Sequence, residues 1–168
     1  MPFRPVLLTF CTLALSVLLP TGGHAQEQEK IDMKTGGAWP HLARYIGTYD
    51  YDELLNDKAV RAAIAKVLRG KSIDLQSEMD VKSPIGFEGD CLILQGNRQH
   101  QADTRRAYME ACIFQGIVNI ALFEDGKVTV YSDTTEYKYL TGSMRTWIYF
   151  QNTNADLYKQ PEQVKFAK

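Results

Sequence analysis

The chain has 168 residues, with 19 basic against 20 acidic side chains and a formal net charge of −1. That length suits one folded domain, and the near-neutral balance excludes the basic face that nucleic-acid binding requires. Apolar residues make up 45% of the chain, enough to fill an ordinary core.

Residues 1–25 read as a cleavable secretory signal. Arg4 supplies the positive start, Val6 to Leu19 the apolar run, and Gly23-His24-Ala25 the small residues that a signal peptidase reads. The run falls short of the ~20 apolar residues that span a bilayer, and Pro20 breaks it at its end. Cys11 lies inside the run after the bulky Phe10, which argues against a lipoprotein. Cleavage after Ala25 predicts a periplasmic address. It also removes Arg4, and no later apolar stretch is long enough to cross a membrane.

The spacing predicts a loose leader over 26–38, a single α+β domain over 39–151, and a polar, mobile tail over 152–168. Trp39 to Tyr49 carries three aromatic residues and reads as an extended segment. Whether these residues and Tyr51 form a binding surface or part of the core is open at this level. Asp50 followed by Glu53 has the capping-box arrangement. Val60, Ile64, Val67 and Leu68 then mark one buried face of a helix over Tyr51 to Arg69, with Gly70 as its stop. Ile73 to Val81 shows no clear period.

Strand signals follow Pro84. Ile85 and Phe87 alternate with small or polar residues, and Cys91 to Leu94 is a short buried run. Tyr108 to Phe114 and Ile117 to Phe123 read as further strands joined at Gln115-Gly116. Glu124-Asp125-Gly126 is a strong hairpin signal leading to Lys127 to Tyr131, with Val128 and Val130 on one face. The expected architecture is an N-terminal helix packed on an antiparallel meander sheet of four or slightly more strands. Thr141 to Phe150 suits a short C-terminal helix or a strand. The helix is favoured because Thr141 or Ser143 can cap it.

Two cysteines remain after cleavage, Cys91 and Cys112. A hairpin centred near Gln101 and Ala102 places them opposite one another, so an oxidising compartment favours a cross-strand disulfide over two free thiols. Without a Cys-x-x-Cys spacing, the bridge is structural. Catalytic signals are weak. His41 and His100 are the histidines left after cleavage; His41 has no nucleophile nearby in sequence, and Cys112, the thiol considered for His100, is expected about half a strand away and oxidised. Nothing has metal-ligand spacing, and no cofactor motif is present.

The polar stretch Gly96 to Arg106 is longer than a hairpin needs. It concentrates hydrogen-bond donors, and Arg98, Gln99, His100, Gln101 and Arg105 are its candidate partner-binding residues. The neighbouring disulfide is expected to stiffen its base. Such a loop suits an acidic cleft, because preorganisation lowers the ordering cost and Arg or His can pair with carboxylates. A solvated surface loop is the plainer reading.

An exported domain with an early helix, an antiparallel sheet over the span Tyr51 to Tyr131 and a projecting loop around His100 resembles the periplasmic inhibitors of vertebrate lysozyme, the Ivy family. The resemblance implies a non-enzymatic protein whose sheet carries helices on one side. It also implies a loop that plugs the lysozyme cleft and engages its two catalytic carboxylates. His100 is the residue it carries over. The family's loop histidine lies between two closely spaced cysteines. Here the loop reads Asn97-Arg98-Gln99-His100-Gln101-Ala102, and the cysteines lie on the flanking strands. An immunity or accessory protein for a secreted toxin, and an enzyme of unrecognised type using His41 or His100, remain as alternatives.

Overall fold

The computed structural model describes residues 37–151, 157 and 159–168. The expected signal peptide, residues 1–25, and most of the expected leader, residues 26–38, lie outside them. Among the described residues, no helix is long and apolar enough to cross a membrane.

The aromatic segment folds as a 3₁₀ helix, Pro40–Tyr45, rather than as extended chain. Proline at its first position presets the helical φ. Leu42 and Tyr45, three apart, are the residues it buries. Trp39, Tyr45 and Tyr51 belong to the core, and Tyr49 is exposed. The Tyr51 hydroxyl donates to the carbonyls of Ser83 (2.9 Å) and Gln95 (3.1 Å) and accepts the Gln95 amide (3.0 Å).

The long helix expected over 51–69 is two helices: α1 (Tyr51–Asn56) and α2 (Lys58–Leu68). Asp57, with ψ 134° between them, is the real N-cap. Its carboxylate accepts the amides of Ala59 and Val60. Asp50 makes no side-chain cap, so the capping-box reading was misplaced by one short helix. Arg69 and Gly70, with φ of 51° and 82°, end α2 where the glycine stop was expected. A further short helix, α3 (Leu75–Glu78), lies in the segment without a clear period.

The predicted four-strand meander is present as β3 (Cys91–Asn97), β4 (Arg105–Cys112), β5 (Ile117–Glu124) and β6 (Lys127–Tyr131), all antiparallel neighbours. The β5–β6 turn has positive φ at both Asp125 (45°) and Gly126 (80°), the backbone a two-residue hairpin demands. Three short strands enlarge the sheet. β1 (Val81–Lys82) and β2 (Gly86–Glu88) both pair with β3, and β7 (Val164–Phe166) lies parallel to β6. The end of the expected mobile tail is therefore a strand, with Val164 buried and the Arg69 guanidinium donating to the Ala167 carbonyl (3.0 Å). Its polar composition hid this, because a three-residue strand needs only one apolar anchor.

Helices cover both faces of the sheet. One layer joins the 3₁₀ helix, α1, α2 and α3 to Leu92, Leu94, Ala107, Met109, Ala111 and Ile120. The other joins α4 (Gly142–Gln151) to Tyr108, Ala121, Phe123, Val128 and Val130. Thr141 caps α4 by accepting the Met144 amide (3.1 Å), which decides the segment in favour of a helix. Double coverage explains why β4 is buried at every position from Ala107 to Cys112 instead of alternating.

That coverage also buries a carboxylate. Glu110 on β4 is fully buried beneath α4 and accepts hydrogen bonds from Thr141 (2.7 Å), Asn119 (2.8 Å), Ser143 (3.4 Å) and Tyr108 (3.4 Å). Burial pushes its carboxyl above the usual range, and the four hydrogen bonds pull the other way without cancelling it. A raised folded-state value means the folded chain holds this proton more tightly than the unfolded chain. The contribution is complete below the unfolded value of about 4.3 and is lost as pH rises through the folded one. Glu110→Gln is expected to flatten the dependence of the urea midpoint on pH in that window, where each unit of separation is worth about 1.4 kcal/mol. An unchanged slope in the variant would show that Glu110 titrates alike in both states.

Candidate partner-binding loop

The β3–β4 hairpin is centred where the sequence places it, and Cys91 and Cys112 are register partners joined by a disulfide. The Ile113 amide bonds to the Asp90 carbonyl (2.8 Å), which leaves the cysteine pair at a non-hydrogen-bonded position with close Cβ atoms. The bridge does not stiffen the loop, however. It joins the first residue of β3 to the last of β4, while the loop leaves from the other end. Seven residues at ~3.3 Å each put it roughly 20 Å from Arg98.

The strands run through Asn97 and Arg106, so the free loop is shorter than the polar stretch suggested: Arg98 to Thr104. It is wound on itself. The Gln101 amide donates to the Arg98 carbonyl (3.0 Å), and the amides of Thr104 (3.0 Å) and Arg105 (2.8 Å) both donate to the Gln101 carbonyl. The Asp125 amide, from the β5–β6 turn, donates to the Thr104 carbonyl (2.9 Å). His100 stands at the tip with φ 61°, a left-handed backbone that a non-glycine residue adopts at some cost. Gln99, His100, Gln101, Ala102 and Asp103 are all exposed. Among the described residues, no hydrogen bond or ion pair uses the His100 imidazole.

The arginines behave differently. Arg98 and Arg105 turn back to the body of the protein, and both donate to the same carboxylate oxygen of Glu78, at 2.7 Å and 3.1 Å. Arg105 also meets Glu124 at 3.2 Å. Arg106 donates to the Ala102 carbonyl and to Gln151 (2.8 Å) and lies over the Phe123 ring. Of the five residues singled out in sequence, the structure brings Gln99, His100 and Gln101 together on an exposed tip and uses Arg98 and Arg105 beneath it. Sequence reasoning missed Glu78. It sits in the stretch without a period, 20 residues before Arg98, and no local pattern links it to the loop.

His41 lies away from this loop. Its Nε2 is 3.0 Å from the Asp57 carboxylate. Burial alone would raise Asp57, but the hydrogen bonds from His41 and from the amides of Val60 and Ala59 hold its carboxyl below the usual range. The pair ties the 3₁₀ helix to the start of α2, a structural use for the one histidine among the described residues that has a carboxylate partner.

A groove borders the loop's base, lined by Val81, Lys82, Arg106, Trp147, Phe150 and Gln151 among others. Val81 and Phe150 leave 51% and 70% of their surface in solvent, so the surface beside the loop is apolar as well as basic. Comparison with known proteins finds that the family model described as "Inhibitor of vertebrate lysozyme (Ivy)" matches residues 59–154, more than half of the chain, including the β3–β4 hairpin and its loop. No curated protein and no solved structure gives a significant match.

Proposed function

The chain belongs to the inhibitor of vertebrate lysozyme (Ivy) family, and from that premise we propose that it is an exported lysozyme inhibitor acting through the tip of its Arg98–Thr104 loop. The observation that carries the mechanism is the tip itself. An exposed imidazole is held in a left-handed backbone at the end of a long hairpin, with every neighbouring arginine drawn away beneath it. Lysozyme catalyses with a pair of carboxylates in a cleft. A protruding His100 flanked by Gln99 and Gln101 offers hydrogen-bond donors to such a pair, and charge-assisted bonds of this type are the strong ones.

In this reading the mature protein begins at Gln26 after cleavage behind Ala25 and meets its target in the periplasm. An inhibitor of a cell-wall hydrolase is useful where that hydrolase reaches the wall, and the N-terminal signal pattern supports the same address. The protein is a binding module with no catalytic step of its own. A toxin-immunity role draws on the same exposed loop and gains no separate support from the site.

The direct test is inhibition of a vertebrate c-type lysozyme by the purified 26–168 protein. Stoichiometric loss of wall-lysing activity is the expected result. An undiminished rate at micromolar protein would sink the reading, and periplasmic pull-down would then have to identify another partner.

A further inference from the structure

We propose that Glu78 is a positioning residue that shuts the base of the His100 loop and sets the geometry of its tip. This deepens the reading of the loop as the inhibitory element and rests on it. Asn97 and Arg106 are the last register partners of the β3–β4 ladder, so Arg98 and Arg105 stand next to each other at the mouth of the hairpin. No cysteine lies between Cys91 and Cys112 to close that mouth covalently. Two guanidiniums facing each other across a hairpin repel, and like charges directly opposed loosen a strand pair.

Glu78 reverses that effect. One of its carboxylate oxygens receives both guanidiniums. Its side chain is only 10% exposed, against 32% for Arg98 and 30% for Arg105, so these attractions act with little solvent between them. The Nε atoms of both arginines are buried without a partner among the described residues. Removing Glu78 would therefore leave two half-buried cations with fewer partners, facing each other. Loss of one member of a buried charged set costs more than the set contributes, and opening the loop mouth is the simplest relief.

The clamp reaches His100 through the backbone. The Arg98 carbonyl accepts the Gln101 amide, and the Arg105 amide donates to the Gln101 carbonyl, so both clamped residues anchor the turn that holds the tip. Glu78 is itself held in place. Asp74 caps α3 by accepting the Ser77 amide (3.2 Å). Next to Glu78, Met79 is buried against Gly96, where an added Cβ would lie 2.5 Å from the Val81 carbonyl oxygen and 3.1 Å from the Met79 Cα. Glycine at 96 is thus what lets the end of α3 sit against β3, under the loop mouth.

The test compares wild type with Glu78→Ala and Glu78→Gln by hydrogen exchange and by lysozyme inhibition. The amides of Gln101, Thr104 and Arg105 are expected to exchange at least tenfold faster in Glu78→Ala, while those of β5 and of β4 from Ala107 onward keep their protection. Inhibition should weaken at least tenfold, with Glu78→Gln falling between. An oxidised Arg98→Cys/Arg105→Cys pair in the Glu78→Ala background should restore inhibition to within a few-fold of wild type, which a merely stabilising residue would not predict. Loop amides as protected in the folded variants as in wild type would overturn the proposal, and so would a cysteine pair that forms without restoring inhibition. If Glu78→Ala does not fold, Glu78→Gln carries the same exchange comparison. A wild-type protein that does not inhibit lysozyme would instead sink the lysozyme reading, and the exchange rates would still decide the clamp.

Discussion

Replacing His100 with alanine is expected to weaken lysozyme inhibition by roughly 30-fold or more, about 2 kcal/mol or above, the scale of a residue at the centre of an interface. Thermal unfolding should hardly change, because the imidazole is exposed and supports nothing in the fold. Two contributions must be separated. His100 has φ 61°, so any substitution also alters the ease of holding a left-handed backbone. Asparagine tolerates that region well, and His100→Asn therefore keeps the backbone while removing the ring. Equal losses in the two variants would assign the effect to the imidazole, while inhibition retained by His100→Asn would assign it to loop geometry. Full inhibition in both would remove His100 from the mechanism. Gln99→Ala and Gln101→Ala, on the rim of the same tip, should cost less.

Removal of the disulfide should have the largest effect on stability and almost none on inhibition. Cys91 and Cys112 close a loop with a sequence separation of 21, for which chain entropy gives about 3 kcal/mol. At roughly 2–4 °C per kcal/mol for a domain near this size, Cys91→Ala/Cys112→Ala should melt some 6–12 °C below wild type. The bridge, however, stands at the opposite end of the β3–β4 ladder from the tip, with the pairs Leu92–Ala111 to Asn97–Arg106 between them. Below the melting transition the variant should inhibit as wild type does. Calorimetry and inhibition at 25 °C check the two halves together. Inhibition lost alongside an unchanged melting temperature would mean that the bridge, and not Glu78, governs the loop.

The residues themselves determine a good part of this protein. Turn chemistry is local, so Asp125-Gly126 specifies the β5–β6 hairpin and Gly70 the end of α2 wherever they sit. Register is local too. Once a hairpin is centred near Gln101 and Ala102, Cys91 must oppose Cys112, and the structure joins them. The spacing of Leu140, Met144 and Ile148 favours a helix at α4 without excluding a strand, and the Thr141 cap seen in the structure decides it. The same reasoning places His100 in an exposed loop, because a run of polar residues between two apolar strands has nowhere else to go.

What it leaves undecided depends on contacts distant in sequence. Asp57, not Asp50, became the cap that matters, because a break there lets α1 and α2 each lay apolar residues on the sheet. β7 forms from a polar tail because β6 offers an open edge. Nothing near Glu110 in sequence marks it as buried; α4 covers that face of β4 and supplies Thr141 and Ser143 to bond it. The division is sharpest at the loop. Its composition marks Arg98 and Arg105 as donors, but whether they reach outward or inward depends on a carboxylate from α3, brought beneath them by a close approach that only Gly96 permits. Short-range geometry is written in neighbouring residues, whereas the pairing of charges across elements exists only once the elements have packed.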